Sequence, residues 1–510
     1  MLALTMNGTY GAKGHWADKI AFFGLFIAVL LIACFIVLWK SAIVLSEPIE
    51  LDCAGLSVCI PTGAGWKNEK QWKYQQNAFT LDSFFTPGSG SVTTIVSCRY
   101  LLAATKAAPD KLFEERVSTV GGSKIAKTGQ IEIGRQGFSF AKDSQNGSIL
   151  TLDWAHIKSS PSGSQGSKTL FDTFFGIAQL PNNRRLDIEV YQTTGDTNLA
   201  EGIFKSVVES LKFTDNRLLE TGSKIVAEIK GKGLDSFLVP AGNKQEEGQE
   251  SFFLIKDARG HTIGFTMEVL GSHSAEILQT GGTLEPTPET RLNILVGSFY
   301  YIRGRYEQAT FFQSDNRFDE FVWRSETSSP ADRSGAEIIS GKDGIITVKE
   351  FGRRVEEKIY QINPAAIPDV LSEFTFSQML DSDRKEIFVD IIGADGKITP
   401  ALVSRIEAPR PFTPTAPEEQ NSGGSGAEVT REEAACVFRV ELMDGRGFSE
   451  QVYLDDQRRI SRILLQQEST YTLERTSTEN ILREFPEQGG YILQRKDKIL
   501  EQNQLQESSE

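Results

Sequence analysis

Residues that bind metals or act as nucleophiles are scarce in this chain. Its 510 residues include five cysteines and four histidines, and no Cys-x-x-Cys or mixed Cys/His run has the spacing of a zinc site. His156, His261 and His273 lie beyond residue 50 without a nearby motif that supplies a nucleophile or a charge stabiliser. The sequence therefore predicts no catalytic residue, no metal site and no cofactor.

Positive charge is also in short supply. Lys and Arg total 54 against 68 Asp and Glu, which gives a net charge of −14 and an isoelectric point near 5.1. Proteins that hold the phosphate backbone need a dense basic surface, so nucleic acid is not an expected partner. The hydrophobic share of 39% suits folded domains, and the length indicates two or three of them.

One stretch near the N-terminus lacks charge altogether. It runs from Ile20 to Trp39, close to the roughly 20 residues that cross a bilayer core. A cleavable signal peptide has a shorter core that ends in small residues. Leu31 to Cys34 resembles a bacterial lipobox, but five apolar residues follow Cys34 where a lipoprotein becomes polar. We predict an uncleaved signal anchor that spans the membrane once, with a lipidated Cys34 as the alternative.

Charges beside this stretch predict its orientation. Lys13 and Lys19 precede it, and Lys40 is the one basic residue close behind it. Because basic residues favour the cytoplasmic side, we expect residues 1–19 to form a cytoplasmic tail. Residues 20–45 would form the transmembrane helix and its exit. The remaining bulk would be extracytoplasmic, in the periplasm of a bacterial envelope, with the membrane as one partner.

Residues 50–215 are predicted to form an α+β domain. An opening strand leads into a turn, and helical spacing follows over 109–120. An antiparallel meander over 130–192 and a closing amphipathic helix over 199–213 complete the order. The quoted turn and closing helix read IPTGAGW and AEGIFKSVVESLKF. This order resembles the PsbP-like fold of photosystem extrinsic proteins and their bacterial relatives. The resemblance implies a small binding or assembly module and supplies no catalytic residue.

Residues 222–408 and 432–495 are predicted to form one larger antiparallel β domain. Alternating patterns predict strands from 224–230 onward, and Asp395-Gly396 marks one of the tight hairpin turns. The many strands, one internal helix and the closing run EQVYLDDQRRISRILLQQESTYTLERTSTENILREFPE resemble the LolA-like half-barrels of bacterial lipoprotein carriers. That resemblance implies a concave face that binds acyl chains. A membrane anchor departs from the role of a freely diffusing carrier.

Three further segments complete the predicted organisation. Apolar spacing over 369–380 predicts a helix that plugs or covers the larger sheet. Residues 409–431 are Pro-rich and then Gly/Ser-rich, which predicts a flexible insertion, and the Gln/Glu-rich residues 496–510 predict a disordered tail. The predicted fold class is α+β: an N-terminal transmembrane helix, an antiparallel sheet with covering helices, and a larger curved antiparallel β domain with one or two helices.

An aromatic run on one predicted strand supplies the candidate ligand-binding residues. Phe299, Tyr301 and Phe311 could line an apolar cleft of the second domain. The alternative interpretation is that these rings are core residues between the sheet and a covering helix.

Cysteines beyond the membrane span supply a second candidate feature. In an oxidising compartment Cys53 could form a disulfide with Cys59 or Cys98, with Cys436 further along the chain. The alternative is that these residues are buried free thiols, which behave as small hydrophobic side chains.

The function that these observations predict is a non-catalytic, membrane-anchored binding or accessory protein of the cell envelope, with a lipid or an envelope protein as partner. The first alternative is a structural or assembly scaffold without a ligand. The second is an envelope hydrolase, which would require two titratable groups with shifted pKa values in one cleft.

Overall fold

A computed structural model of the chain describes positions 23 and 27 and the range 43–488, with gaps at 89, 105–106, 120–122, 134–149, 160–170, 214–216, 238–248, 273–293, 305, 330–332, 341–343, 353, 407–435, 456 and 467–469. Apart from Phe23 and Ile27, the predicted span over 20–39 lies outside the described residues, as do the whole of the insertion over 409–431 and the whole of the tail over 496–510. Within the described part, no helix has both the length and the apolar character to cross a bilayer.

Strands dominate the described chain, and a few helices accompany them, so the fold is β-rich and of the α+β kind. Strands β1 to β11 span Ile49–Leu51, Leu56–Val58, Trp66–Asn68, Lys73–Gln75, Ala78–Phe85, Thr94–Leu101, Ser123–Ile133, Leu150–Ser159, Phe171–Leu180, Arg184–Gln192 and Lys212–Phe213. Strands β12 to β26 span Gln249–Lys256, Thr262–Ser272, Ile294–Ile302, Tyr306–Ser314, Phe321–Ser328, Arg333–Ser340, Ile345–Phe351, Glu356–Gln361, Ile367–Pro368, Glu386–Ile392, Ile398–Ile406, Cys436–Leu442, Ser449–Leu454, Ile460–Gln466 and Thr470–Arg475. The described helices are α1 Pro109–Thr119, α2 Thr197–Glu209, α3 Arg217–Lys232, α4 Glu373–Asp381 and α5 Thr478–Glu484.

The first sheet carries a helix on each of its two faces. Its eight strands follow the order β3-β5-β6-β10-β9-β8-β7, with β4 paired to β5, and a small sheet of β1, β2 and β11 stands beside it. Neighbouring residues on a strand face opposite sides, as Phe174 and Phe175 of β9 do. Phe174 contacts Phe204 of α2 at 5.9 Å between ring centroids, and Phe175 contacts Phe113 of α1 at 6.1 Å.

Helix α3 corrects one prediction from the sequence. We predicted a strand over 224–230, but this segment lies inside α3. The buried positions of the helix, Leu219, Gly222, Ile225, Val226 and Ile229, follow helical spacing and therefore form one apolar stripe. That stripe packs on β21 so closely that a Cβ added at Gly222 would lie 1.8 Å from the carbonyl oxygen of Phe388.

The second sheet has fifteen strands and curls back on itself. Its order is β19-β18-β17-β16-β15-β14-β13-β12-β26-β25-β24-β23-β22-β21-β20, and its pairs are antiparallel except β20 with β21. The β21–β22 turn lies against β18, because a Cβ added at Gly396 would lie 2.5 Å from Cγ2 of Val348. The two edges of the sheet therefore approach each other, and we call the line where they meet the seam.

Side chains of the first sheet contact the seam from outside. Asn77 and Asn183 occupy left-handed turns, at φ of 60° and 58°. The Asn77 side-chain oxygen accepts a hydrogen bond from the backbone N–H of Ile398 at 2.7 Å, and the Asn183 amide donates to the carbonyl of Ile362 at 2.6 Å. A single hydrophobic cluster includes residues of both sheets, so they share one core.

Helix α4 lies inside the curl of the second sheet, as the prediction of an internal helix over 369–380 required. Its ring of Phe376 stacks on Phe438 of β23, with centroids 5.0 Å apart. Gln378 donates a hydrogen bond to Glu228 of α3 at 2.5 Å, which joins the two helices side by side. The helix does not fill the curl completely, and the space it leaves is the candidate site.

Candidate functional site

A cavity of about 470 Å³ lies between the inward face of the second sheet and α4, and we call it the hollow. Pockets of this size hold small organic ligands. Strands β12, β13, β14, β24 and β25 supply one wall. Helix α4, the turn before it and the segment that follows α3 supply the other. The lining residues are Lys232, Ser236, Phe237, Ser251, Phe253, Glu268, Val296, Val370, Glu373, Phe374, Phe376, Ser377, Asp381, Leu454, Gln457, Arg458, Arg459 and Ile460.

Phenyl rings form much of the apolar wall. Phe374 and Phe376 are buried on α4, and Phe253 is buried on β12. Phe237 stands against Phe374 with ring centroids 5.1 Å apart. An apolar group gains favourable contact with these rings, while polar and charged residues make up the rest of the lining.

Carboxyl groups are the second feature of the interior. Glu268 on β13 is paired across the sheet with Ser251 and Ser298, and Glu373 opens α4. Glu450 on β24 shares its face with Leu454, which lines the hollow, because residues four apart on a strand point the same way. Within the described ranges, no backbone or side-chain group donates a hydrogen bond to Glu268 or Glu373.

Burial shifts the pKa values of these groups upward. It raises the pKa of Glu373 to about 8, and the nearby carboxyl of Glu268 adds to the rise while Arg475 opposes it. Burial and then the charge of Asp369 raise the pKa of Glu450 to about 8 and also raise the pKa of Glu268. At neutral pH these carboxyls therefore hold protons more readily than a surface glutamate does.

These carboxyls are surrounded by protein and yet reachable by solvent. The side chains of Glu268, Glu373 and Glu450 are half-buried, and Asp369, whose pKa is also raised by burial, is exposed. The sheet curves around open space, so a carboxyl group can be surrounded by protein and still face water.

Charged residues at the mouth of the hollow pair with one another. Asp381 accepts from Lys232 at 2.8 Å and from Arg458 at 2.5 Å. Arg459 forms its ion pair with Asp455 at 2.8 Å. The basic groups at the mouth thus already have carboxylate partners, and Arg475 is the basic residue that acts on the deeper carboxyl of Glu373.

The structure places the three predicted aromatic residues away from the hollow. Tyr301 is buried on β14 and contacts Phe265 and Phe485 at 5.6 and 5.7 Å, and Phe299 packs against the same cluster. The cluster lies beneath α5, on the face opposite Val296, which lines the hollow. Phe311, paired with Gly297, shares that outer face. For Phe299 and Tyr301 the structure matches the alternative, core packing under a covering helix.

The cysteines of the described region are free thiols. Cys53, Cys59, Cys98 and Cys436 form no disulfide there, which corrects the pairing expected for the first three. Cys53 and Cys98 are buried in the core, and burial raises the pKa of each thiol to about 12. Thiols in this state behave as small hydrophobic side chains.

One histidine has a partner that the sequence analysis missed. His156 on β8 lies 2.6 Å from Oδ1 of Asp172 on β9, and both side chains are buried. Thr197, the first residue of α2, donates to Oδ2 of the same carboxyl at 3.0 Å. His156 also stacks on Phe174. The register of the β8–β9 hairpin was the sequence signal that could have predicted this pair. Together His156, Asp172 and Thr197 join α2 to the sheet.

The residues of the hollow were also missed, although the sequence held a signal for them. Glu268 is the single acidic residue on the mostly apolar strand β13, and an isolated acid in such a strand is unusual for a core. Within the described residues, no three His, Cys, Asp or Glu side chains are placed to hold a metal. The arrangement suits binding of an apolar group next to a hydrogen-bonding or charged group.

Comparisons with known proteins leave the chain without a family. No protein-family model matches it, and no curated protein does. The crystal structure of a beta-barrel-like protein of the domain of unknown function DUF1849 from Brucella abortus matches 45% of this chain and 95% of its own, at 7% identity and a TM-score of 0.30. The Ran-binding protein Mog1p of Saccharomyces cerevisiae matches 34% of this chain and 98% of its own, at 7% identity and a TM-score of 0.25. Scores this low assign neither a fold nor a function.

Proposed function

We propose that this protein is a non-catalytic binding protein of the bacterial envelope, and that the hollow of the second sheet holds its ligand. The observation that carries the proposal is the hollow itself, a cavity of about 470 Å³ with phenyl walls and carboxyl groups at depth. A core built only for stability would fill such a space, because each void forfeits packing energy. A ligand with an apolar part restores those contacts.

The finer architecture belongs to the same proposal. An uncleaved anchor over 20–39 would hold a PsbP-like domain over 50–215 and a LolA-like domain over 222–408 and 432–495 on the extracytoplasmic side. The uncharged length of the anchor and the basic residues before it support this orientation. The curved second sheet with an internal helix supports the comparison with a half-barrel.

Ligand binding is tested on the purified full-length chain. Organic extraction should release a bound lipid or other apolar compound, and a fluorescent apolar probe should bind with saturation. Ser377→Trp places a large ring in the hollow and should abolish probe binding. Ile359→Trp, at an exposed position on edge strand β19, is the matched control and should bind as the native chain does. Absence of both extract and probe binding in the native chain would favour the scaffold alternative.

Anchoring is tested separately. The chain should remain with membrane vesicles after a carbonate wash, and protease added outside spheroplasts should digest the region beyond residue 45. Release by carbonate would contradict the anchor. Protection from the protease would contradict the orientation.

A hydrolase is the second candidate, because Glu268 and Glu373 are two carboxyls with raised pKa values in one cavity. One ionised and one protonated carboxyl can act as base and acid. The test is turnover of chromogenic ester and glycoside substrates by the native chain and by Glu373→Gln. Turnover that the substitution abolishes would support the hydrolase, and its absence would favour the binding protein.

A further inference from the structure

Acidic and basic residues line different parts of the hollow. Two carboxyl groups line its deeper part, from Glu268 on β13 and Glu373 on α4, whereas Asp369 before α4 is exposed and Glu450 on β24 lies outside the lining. Among the described residues, Arg475 at the end of β26 is the basic group that acts on Glu373. The basic residues at the mouth, Lys232, Arg458 and Arg459, are paired with Asp381 and Asp455. The hollow is therefore acidic at depth and close to neutral at its mouth.

We propose that the hollow binds an amphiphile with a protonated amine, whose nitrogen lies beside Glu268 and Glu373 and whose apolar part lies against Phe253 and Phe374. This rests on the proposed function, because it names the ligand class of the same cavity. An ammonium group has three donors and no acceptor, so it matches carboxyl oxygens that receive no hydrogen bond from the described protein. Opposite charge at short range stabilises both partners, most of all where protein excludes bulk water.

The aromatic wall fits the same ligand. Phe237 and Phe374 stand at the hollow with centroids 5.1 Å apart, and Phe253 faces it from β12. The face of a phenyl ring attracts a cation within about 6 Å. The alkyl part of an amine therefore gains apolar contact with these rings, and its charged end gains a favourable field from them.

Other head groups fit less well. A carboxylate or phosphate would add negative charge beside Glu268 and Glu373, which is unfavourable at short range. A neutral alcohol would keep the apolar contacts and lose the charge attraction. The order of affinity expected for one alkyl chain is amine, then alcohol, then carboxylate.

Binding is coupled to proton release. The amine enters with its proton, and its charge favours ionisation of Glu373, whose proton passes to the solvent. Affinity should therefore increase as pH rises from about 6 toward the folded pKa of Glu373 near 8. The charged groups that act on Glu373 are Glu268 and Arg475, and the charges at the mouth are Lys232, Asp381, Arg458 and Arg459.

The experiment compares octylamine, 1-octanol and octanoate, which share one chain length, by titration calorimetry on the full-length protein. Octylamine should bind most tightly and release protons, seen as a dependence of heat on the buffer. The double variant Glu268→Gln/Glu373→Gln should weaken octylamine roughly tenfold to a hundredfold and leave octanol little changed. Glu357→Gln, on the exposed edge strand, removes one charge far from the hollow and should have no effect.

Each outcome decides between the two proposals. If octanol and octanoate bind as tightly as octylamine, the amine inference is wrong and the hollow remains a ligand site. If none of the three probes binds, both proposals fail. Circular dichroism and retained octanol binding show whether the double variant is folded. In a folded variant, a loss of affinity confined to octylamine is due to the removed carboxyl charges.

Discussion

Arg184 and Asp390 form an ion pair across the boundary between the two sheets, in which Nη2 of Arg184 donates to both carboxylate oxygens of Asp390, at 2.8 and 2.7 Å, with both side chains almost fully buried. Asn363 also donates to the Asp390 carboxyl at 3.0 Å, and Arg184 donates to the Tyr100 hydroxyl at 3.1 Å. A buried charge is tolerated only when paired. The pair therefore fixes how β10 of the first sheet meets β21 of the second.

Removing one partner of this pair should be costly. Asp390→Asn leaves the guanidinium buried without its charge partner, and we expect a loss of about 3 to 5 kcal/mol of stability. Asp395→Asn breaks the exposed pair with Lys397 and is the matched control, with an expected loss under about 1 kcal/mol. Denaturant unfolding followed by tryptophan fluorescence measures both. Equal losses for the two variants would contradict the structural role assigned to the buried pair.

Two glycines of α3 give a second comparison. A Cβ at Gly222 meets the Phe388 carbonyl at 1.8 Å, whereas a Cβ at Gly231 meets nothing within 4 Å. Gly222→Ala should therefore destabilise the chain by about 1 to 3 kcal/mol because α3 must move off β21. Gly231→Ala should be neutral or add up to about 1 kcal/mol through helix propensity. Thermal unfolding of both variants checks the packing, and a harmless Gly222→Ala would mean that α3 lies elsewhere.

The acidic interior predicts a dependence of stability on pH. The pKa of Glu373 and of Glu450 is about 8 in the folded chain, against about 4.3 when unfolded. Between these values the folded state holds more protons, so stability falls as pH rises from about 4.5 to about 8. Glu373→Gln and Glu450→Gln should each flatten this fall, while Glu357→Gln should not. Urea unfolding at pH 5, 6.5 and 8 measures the slopes, and parallel slopes for all variants would refute the shifts.

Cysteine labelling tests the free thiols. The raised pKa values of Cys53 and Cys98 leave almost no thiolate at pH 8, and both side chains are buried. Iodoacetamide should modify them in urea and not in the native chain. Mass spectrometry of peptides identifies each site. A mass lower by two hydrogens in a peptide pair that contains Cys53 would instead reveal a disulfide.

Local sequence patterns predicted most strands and helices, because alternation and helical spacing are local properties. The helix over 109–120 and the hairpin at Asp395-Gly396 are confirmed as α1 and the β21–β22 turn. The segment 224–230 misled the prediction because Ile225, Ala227 and Ile229 also alternate as they would on a strand, and the helix that contains them begins earlier, at Arg217. A short window cannot resolve that ambiguity.

The candidate site depended on information that no local window carries. Glu268, Glu373 and Glu450 come from separate parts of the chain and converge because the second sheet curls around α4. The face that an aromatic residue adopts depends on strand register and on which side the last helix covers. The sequence therefore predicted an aromatic cluster at Phe299 and Tyr301 but left open whether it lines a cleft or packs in a core under a helix, and the structure places it in the core cluster with Phe485.

The seam has a consequence for the order of events during translation. Residues of the first sheet leave the ribosome before those of the seam: Asn77, Asn183 and Arg184 precede their partners Ile398, Ile362 and Asp390. The first sheet can therefore fold before the second sheet closes against it. A fragment that lacks the first sheet would expose the edges of the second sheet and leave the carboxylate of Asp390 without Arg184. Such a fragment should therefore aggregate through those edges.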